Sequence, residues 1–225
     1  MDYREHPPPP HLEGLIKPYW TLAGTGAADQ WLAQQAVPDG CVEVIRRLAG
    51  ASRWDGDQPR AFAVGLIERP EGFSISGDSR FEGARLWPWA WRRISAVPLE
   101  AMRGRWIAFR ADGIEARLAA APDLAAIGRA IIEAGSVGEM GRATGMSART
   151  LQRWFARHVG MPPRRYLRLL RFHKAFERVP GERSLADHAA AQGFADQAHM
   201  AREFRAMAGV PAKQARRAAK GPFLT

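Results

Sequence analysis

The sequence predicts an α+β protein: a small N-terminal β-rich domain, barrel- or sandwich-like, followed by an all-α domain with two helix-turn-helix units joined by a long helix. Three observations predict it. Short β-like runs separated by Gly, Pro and Asp signals fill the first part of the chain. From Ser136 onward nearly every stretch has helical spacing. Within that stretch one helical pattern occurs twice. The expected division is 1–120 for the β-rich part, 121–135 for a linker helix and 136–220 for the double unit.

The opening residues Met1–Pro10, with four consecutive prolines, read as an extended arm, because proline lacks a donor and cannot sit inside a helix. Leu12, Leu15, Ile16 and Tyr19 follow with helical spacing. Trp20–Leu22, Trp31–Val37, Val42–Leu48, Ala61–Ile67, Phe73–Ser76 and Ala84–Trp91 read as strands, divided by signals such as Pro38-Asp39-Gly40 and Gly77-Asp78. Leu99–Ala121 returns to a helical pattern, and Asp123–Ala134 is a further helix with Leu124, Ile127 and Ile131 on one side. Pro163 opens a long helix over Arg164–Arg178, which ends at Val179-Pro180-Gly181. A last helix covers roughly Pro211–Lys220.

Charge is unevenly placed. Residues 1–134 hold 16 basic and 17 acidic residues, whereas residues 135–225 hold 17 basic and 6 acidic ones. The whole formal excess of +10 therefore lies on the helical segment, the electrostatic footprint of a polyanion-binding domain. Cys41 is the only cysteine, which excludes an intramolecular disulfide and a thiolate metal cluster. No signal peptide and no bilayer-spanning stretch are recognisable, so a cytoplasmic location and no membrane partner are expected.

The repeated pattern carries the functional reading. In the first copy, Ser136 opens a short helix, and Gly141 precedes Gly145 by four places. A second helix follows with Leu151 and Phe155 inward. In the second copy the corresponding residues are Ser184, Ala189, Gly193, Met200 and Phe204, with Asp196 as N-cap of the second helix. Leu151 to Met200, Arg153 to Arg202 and Phe155 to Phe204 are each 49 residues apart. Such a second helix lies in the major groove, so it needs one apolar face and one face of hydrogen-bonding side chains. Arg149, Gln152 and Arg153 share that outer face at i, i+3 and i+4, with Thr150 at its edge and Ser147 as a cap or phosphate contact. Gln197, His199 and Arg202 take the equivalent side in the second copy. Arg157, Arg164, Arg165 and Arg205 are candidate phosphate contacts.

These residues resemble the DNA-binding domain of AraC/XylS-type bacterial transcription regulators. The resemblance rests on Ser147-Ala-Arg-Thr-Leu-Gln-Arg-Trp-Phe155 with Gly160, and on Gly193-Phe194-Ala-Asp196-Gln197-Ala-His199-Met-Ala-Arg202-Glu-Phe204 with Gly209-Val-Pro211. It implies duplex DNA as partner, with base contacts from Arg149, Gln152 and Arg153 in one groove and from Gln197, His199 and Arg202 in the next. Gly141 stands where the family usually has Ala, and Ala198 and Ala201 stand where it often has polar residues. The second recognition helix is therefore expected to read fewer bases. A homodimer and RNA polymerase are further candidate partners.

The first part of the chain resembles an uncharacterised domain found ahead of such DNA-binding domains, through Pro10-His-Leu12 to Tyr19-Trp20, Val37-Pro-Asp-Gly-Cys-Val-Glu43 and Gly83-Ala-Arg-Leu-Trp-Pro88. By position it would be the sensor or dimerisation part, with a small-molecule effector as a candidate ligand. Trp87, Trp89 and Trp91 alternate, so on a strand they would share one face. They are candidate effector-binding residues lining a pocket, with core packing or a dimer face as the favoured reading. Asp39 and Glu43 are either ligand-binding carboxylates or, preferably, part of a Pro-Asp-Gly turn.

No catalytic, metal or cofactor motif is present. The six histidines form no zinc pattern, and there is no phosphate loop, dinucleotide fingerprint or nucleophile elbow. Two alternatives to an effector-controlled regulator stand beside it. One is an AraC-like DNA-repair alkyl acceptor using Cys41, which lacks the cysteine cluster of a metal-activated acceptor. The other is an architectural DNA binder without effector.

Overall fold

The computed structural model describes residues 1–178, 184–220 and 223–224. Nine strands form the N-terminal part: β1 Asp2–His6, β2 Ile16–Ala23, β3 Trp31–Ala36, β4 Val42–Ala49, β5 Ser52–Arg53, β6 Ala61–Val64, β7 Glu71–Ser76, β8 Arg80–Leu86 and β9 Trp106–Ala108. One antiparallel sheet has the order β1-β2-β8-β4-β6-β9. In the other, β7 lies between β3 and β5, and two short strands near the C-terminus, β10 Ala219–Lys220 and β11 Phe223–Leu224, extend the β3 edge. The described strands make two facing sheets and no closed barrel.

The six-stranded sheet is covered on both faces, which follows from strand alternation. Val42, Val44, Ala63, Ala84 and Leu86 point to the helices, whereas Ile45, Phe62, Val64 and Phe81 point to the second sheet. Strand β2 changes face at a bulge between Ile16 and Tyr19. Ile16 and Tyr19 consequently both pack on the helical side, while Trp20 and Leu22 fill the space between the sheets. Gly83 on β8 lies directly under the Trp20 ring, where a Cβ would stand 2.5 Å from ring carbons.

Three expectations are corrected. Residues 12–19 form no helix: a 3-10 turn at Pro10–Leu12 leads into β2, because Gly14 turns at φ +85° and Pro18 offers no donor. Leu99–Ala121 is likewise broken, into a 3-10 turn Leu99–Met102, β9 and helix α2 Ile114–Ala119, with Gly104 and Gly113 at positive φ between them. Finally, the run Ala84–Trp91 stops being strand at Leu86. Pro88 instead occupies the first turn of helix α1 Pro88–Ile94, where its fixed φ and missing N–H fit. The N-terminal arm is β1, paired with β2 along its length.

The remaining helices are α3 Pro122–Glu133, α4 Val137–Thr144, α5 Ala148–His158, α6 Pro163–Arg178, α7 Leu185–Ala191, α8 Gln197–Ala208 and α9 Ala212–Ala218. The expected stop at Val179-Pro180-Gly181 lies outside the described residues. Helix α6 belongs to two cores. Tyr166, Leu169 and Leu170 join the core that α1, α3, α4 and α5 share with the β-rich part. Phe172, Ala175 and Phe176 join a second core with Phe194, Met200 and Phe204. Because the first core runs without a break from Leu12 to Leu170, the first helix-turn-helix unit is seated on the N-terminal part rather than tethered to it.

Candidate nucleic-acid interface

Each helix-turn-helix is built from the same local devices. Ser136, Ser147, Ser184 and Asp196 are N-caps whose side chains accept the backbone N–H three residues on. Gly145 and Gly193 end the first helices at φ +67° and +72°, which a side chain rarely tolerates. The first-helix caps Ser136 and Ser184 are 48 residues apart, whereas the recognition-helix caps Ser147 and Asp196 are 49 apart. One extra residue therefore lies in the second turn.

The two recognition helices are α5 and α8. In α5, Leu151 and Phe155 are buried, and Arg149, Thr150, Gln152, Arg153 and Arg157 are exposed. Thr150 Oγ1 and Ser147 Oγ lie 2.9 Å apart, so both hydroxyls are engaged at the cap. In α8, Met200 and Phe204 are buried, and Gln197, Arg202 and Arg205 are exposed. Among the described residues, Arg149, Arg153, Arg157, Arg202 and Arg205 enter no ion pair within the chain. Their charge faces solvent, available to a polyanion.

Two candidates behave differently. Arg165 is exposed but pairs with Glu68 of the β-rich part, which also holds Arg103 at 3.3 Å. Its guanidinium therefore serves the seat of the helical part, while Arg164 beside it is exposed. His199 is half-buried: Nδ1 accepts the Ala195 N–H at 3.4 Å, and its ring meets Phe194 edge-on. One face of the imidazole is thus fixed at the helix start. Arg168 and Glu203 make a two-pronged pair at 2.7 and 3.1 Å that ties α6 to α8.

Trp87, Trp89 and Trp91 are all buried. They share no strand face, since Trp87 caps helix α1 and Trp89 and Trp91 lie within it. Trp87 and Trp89 stack at 5.6 Å, Trp89 donates to Gly14 O at 2.6 Å, and Trp91 donates to Val97 O at 2.8 Å. They are core residues, and Trp89 touches both Trp154 on α5 and Tyr166 on α6, at 5.9 and 6.1 Å between centroids. Cys41 is 2% exposed, and burial pushes its thiol well up, with Asp39 adding to the effect. A thiol so placed is a poor nucleophile and is screened from DNA, which weighs against the alkyl-acceptor alternative. Among the described residues no group of His, Cys, Asp and Glu is arranged to hold a metal.

Sequence reasoning missed the interior ion cluster around Arg85, which is 1% exposed. Its guanidinium meets Glu43 at 2.8 Å, Asp39 at 3.0 Å, Glu5 at 3.1 Å and the Tyr3 hydroxyl at 3.0 Å. Burial opposes its charge, but Glu43 and Asp39 outweigh burial and hold it cationic. Burial raises the Glu43 carboxyl above the usual range despite the pull of Arg85. The signal was present as odd numbering: residues 83 and 85 of β8 and 43 of β4 fall on the same sheet face. Asp39 serves both this cluster and the turn, since its carboxylate also accepts the Cys41 N–H.

Residues 140–218 match the family described as "Helix-turn-helix domain", and residues 4–108 match "Domain of unknown function (DUF6597)". A search of curated proteins finds no match. Among solved structures, ToxT from Vibrio cholerae in a P21 form is 7% identical, with 96% of this chain and 98% of that chain covered at a TM-score of 0.42. ToxT bound to (E)-4-(8-methylnaphthalen-1-yl)but-3-enoic acid is 7% identical over 96% and 98%, with a TM-score of 0.45. Unsaturated fatty acid bound ToxT is 9% identical over 86% and 91%, with a TM-score of 0.41. At these distances no property of ToxT is carried over to this chain. Among the described residues no helix is long and apolar enough to cross a membrane. With its capped double helix-turn-helix and the two family matches, the chain carries a helix-turn-helix domain over residues 140–218 behind a DUF6597 domain over residues 4–108.

Proposed function

We propose that the protein reads duplex DNA by laying α5 and α8 in successive major-groove segments, and that the β-rich part adjusts this binding in response to a small molecule. The observation that carries the reading is the division of α5: Leu151 and Phe155 are 1% and 0% exposed, while Arg149, Gln152 and Arg153 are exposed on the opposite face. Arginine can read guanine and glutamine adenine by bidentate hydrogen bonds. Phosphate contacts are assigned to Arg157, Arg164 and Arg205. Ser147 sits at the helix start, where a phosphate would also meet the free backbone donors. The contact of Trp89 with Trp154 supports ligand control, because it joins the β-rich part directly to the recognition helix.

Footprinting on the region upstream of the chain's own reading frame and on neighbouring promoters tests the reading. The expected result is a protected site with two segments about one helical turn apart, roughly 34–36 Å. Affinity should fall steeply with salt as counterions are released. Binding without sequence preference would favour an architectural role instead.

A further inference from the structure

Between the two sheets lies a cavity of about 70 Å³. Five aromatic residues, Trp20, Trp54, Phe62, Phe73 and Phe81, are part of its wall. Three polar residues reach it: Ser52, Gln58 and Glu43. Ser52 is 3% exposed, and its hydroxyl has no hydrogen-bond partner among the described residues. A buried hydroxyl left in that state is costly, and each such group in a folded protein calls for an explanation. Gln58 is also buried. Glu43 differs, since one oxygen accepts from Trp20 Nε1 at 2.7 Å and the other from Arg85 Nε at 2.8 Å.

We propose that this cavity is a binding site for a small uncharged molecule, of about the size of a single ring, whose one hydroxyl or carbonyl group pairs with Ser52 Oγ. The aromatic wall favours a flat apolar body. The charge count around Glu43, the one charged residue of the wall, opposes an anion. Arg85 already faces three carboxylates, Glu5, Asp39 and Glu43, so a further carboxylate would meet net negative charge. A cation finds no free carboxylate, because both Glu43 oxygens are in use and the rest of the wall is almost wholly apolar. The volume sets the size: a water takes on the order of 10–15 Å³ on this scale, so the space suits a handful of heavy atoms and a ring once its aromatic neighbours adjust slightly. The proposal rests on ligand control only for its consequence on DNA; the site itself stands without it.

The test is a titration of the full chain with phenol, toluene, benzoate and benzylamine, following the indole N–H resonances of Trp20 and Trp54 by heteronuclear NMR. Phenol should shift both saturably and leave those of Trp89 and Trp91 in place. Toluene should bind more weakly, and neither charged probe should saturate. Ser52→Ala should weaken phenol roughly fivefold while leaving toluene unchanged, as loss of one hydrogen bond predicts. Val64→Phe should abolish both; if it fails to fold, Ser52→Ala decides. No saturable shift at Trp20 and Trp54, tighter binding of a charged probe, or phenol binding indifferent to Ser52 would each overturn the site. Failure of the DNA reading would show instead as an absent footprint, with the titration unaffected.

Discussion

Trp89 and Trp154 meet with ring centroids 5.9 Å apart, the first in α1 of the β-rich part and the second in the recognition helix α5. The same Trp89 is anchored by its donated bond to Gly14 O, and Gly128 of α3 leaves it room, since a Cβ there would stand 2.4 Å from its nitrogen. The recognition helix thus rests on a side chain held from two other elements. One core serves both, and it should melt as one. Urea unfolding followed by tryptophan fluorescence and by far-UV circular dichroism should give coincident transitions for the β-rich part and the first unit. Trp89→Ala should cost about 3–5 kcal/mol, the usual range for an aromatic removed from a core. Two separated transitions in the unsubstituted chain would contradict the shared core.

The two recognition helices should fail differently. At the 49-residue offset, Arg149 and Gln152 correspond to Ala198 and Ala201, and only Arg153 keeps its counterpart, Arg202. Arg153→Ala should cost about 1–3 kcal/mol and relax preference at one base position. Arg202→Ala should weaken binding to all sequences by a similar factor, consistent with an anchoring role for α8. Affinities measured over a set of single-base operator variants separate the outcomes. Uniform weakening by Arg153→Ala would make it a phosphate contact.

The helical half of the protein was legible because its signals are local. A Ser or Asp cap, a Gly at positive φ and apolar residues four apart each act within a turn, so Ser136, Gly145, Leu151 and Phe155 announce their roles unaided. The β-rich half was less so. Trp87, Trp89 and Trp91 alternate as strand residues do, but a proline at the first helical position overrode that period. The long stretch after Pro98 has helical spacing, yet Gly104 and Gly113 break it into a strand and a short helix. The Arg85 cluster depends on pairing β4 with β8, and the Ser52 cavity on facing two sheets, contacts between residues far apart in the chain. Arg165 was placed with the phosphate contacts because nothing near it in sequence points to Glu68.

Removing Arg85 should be far worse than its surface-like composition suggests. Arg85→Met leaves Asp39 and Glu43 buried without a cation, and breaking such a buried pair costs about 3–5 kcal/mol. Adding Glu43→Gln to that variant should recover part of the loss, since one uncompensated charge disappears. Denaturant midpoints of the single and double variants check this. A double variant less stable than Arg85→Met would mean that Glu43 is held by other partners.

Acid should loosen the seat of α6 on the β-rich part. Lys17 of β2 lies 2.5 Å from His173 Nε2 and donates to Glu177 at 2.8 Å, Nε2 also stands 2.9 Å from the Glu177 carboxylate, and His173 Nδ1 is buried without a partner among the described residues. Burial, then the Lys17 ammonium, lower the His173 pKa, against the opposing pull of Glu177 and Asp39. The sign follows. The unfolded chain takes up this proton near the ordinary histidine value of about 6.5, before the folded protein does, so protonation favours unfolding. The stability held by neutral His173 is complete above that pH and is lost as pH falls from it through the lower folded value. Melting temperature should therefore drop between pH 7.5 and pH 5.5. His173→Gln, whose carbonyl can still accept from Lys17, should show a smaller drop over the same interval. His158, whose pKa is also lowered by burial and by Arg157 and Arg92, titrates equally in both proteins and cancels in the comparison. An unchanged pH dependence in the variant would remove His173 from the account and leave the acid sensitivity to other groups.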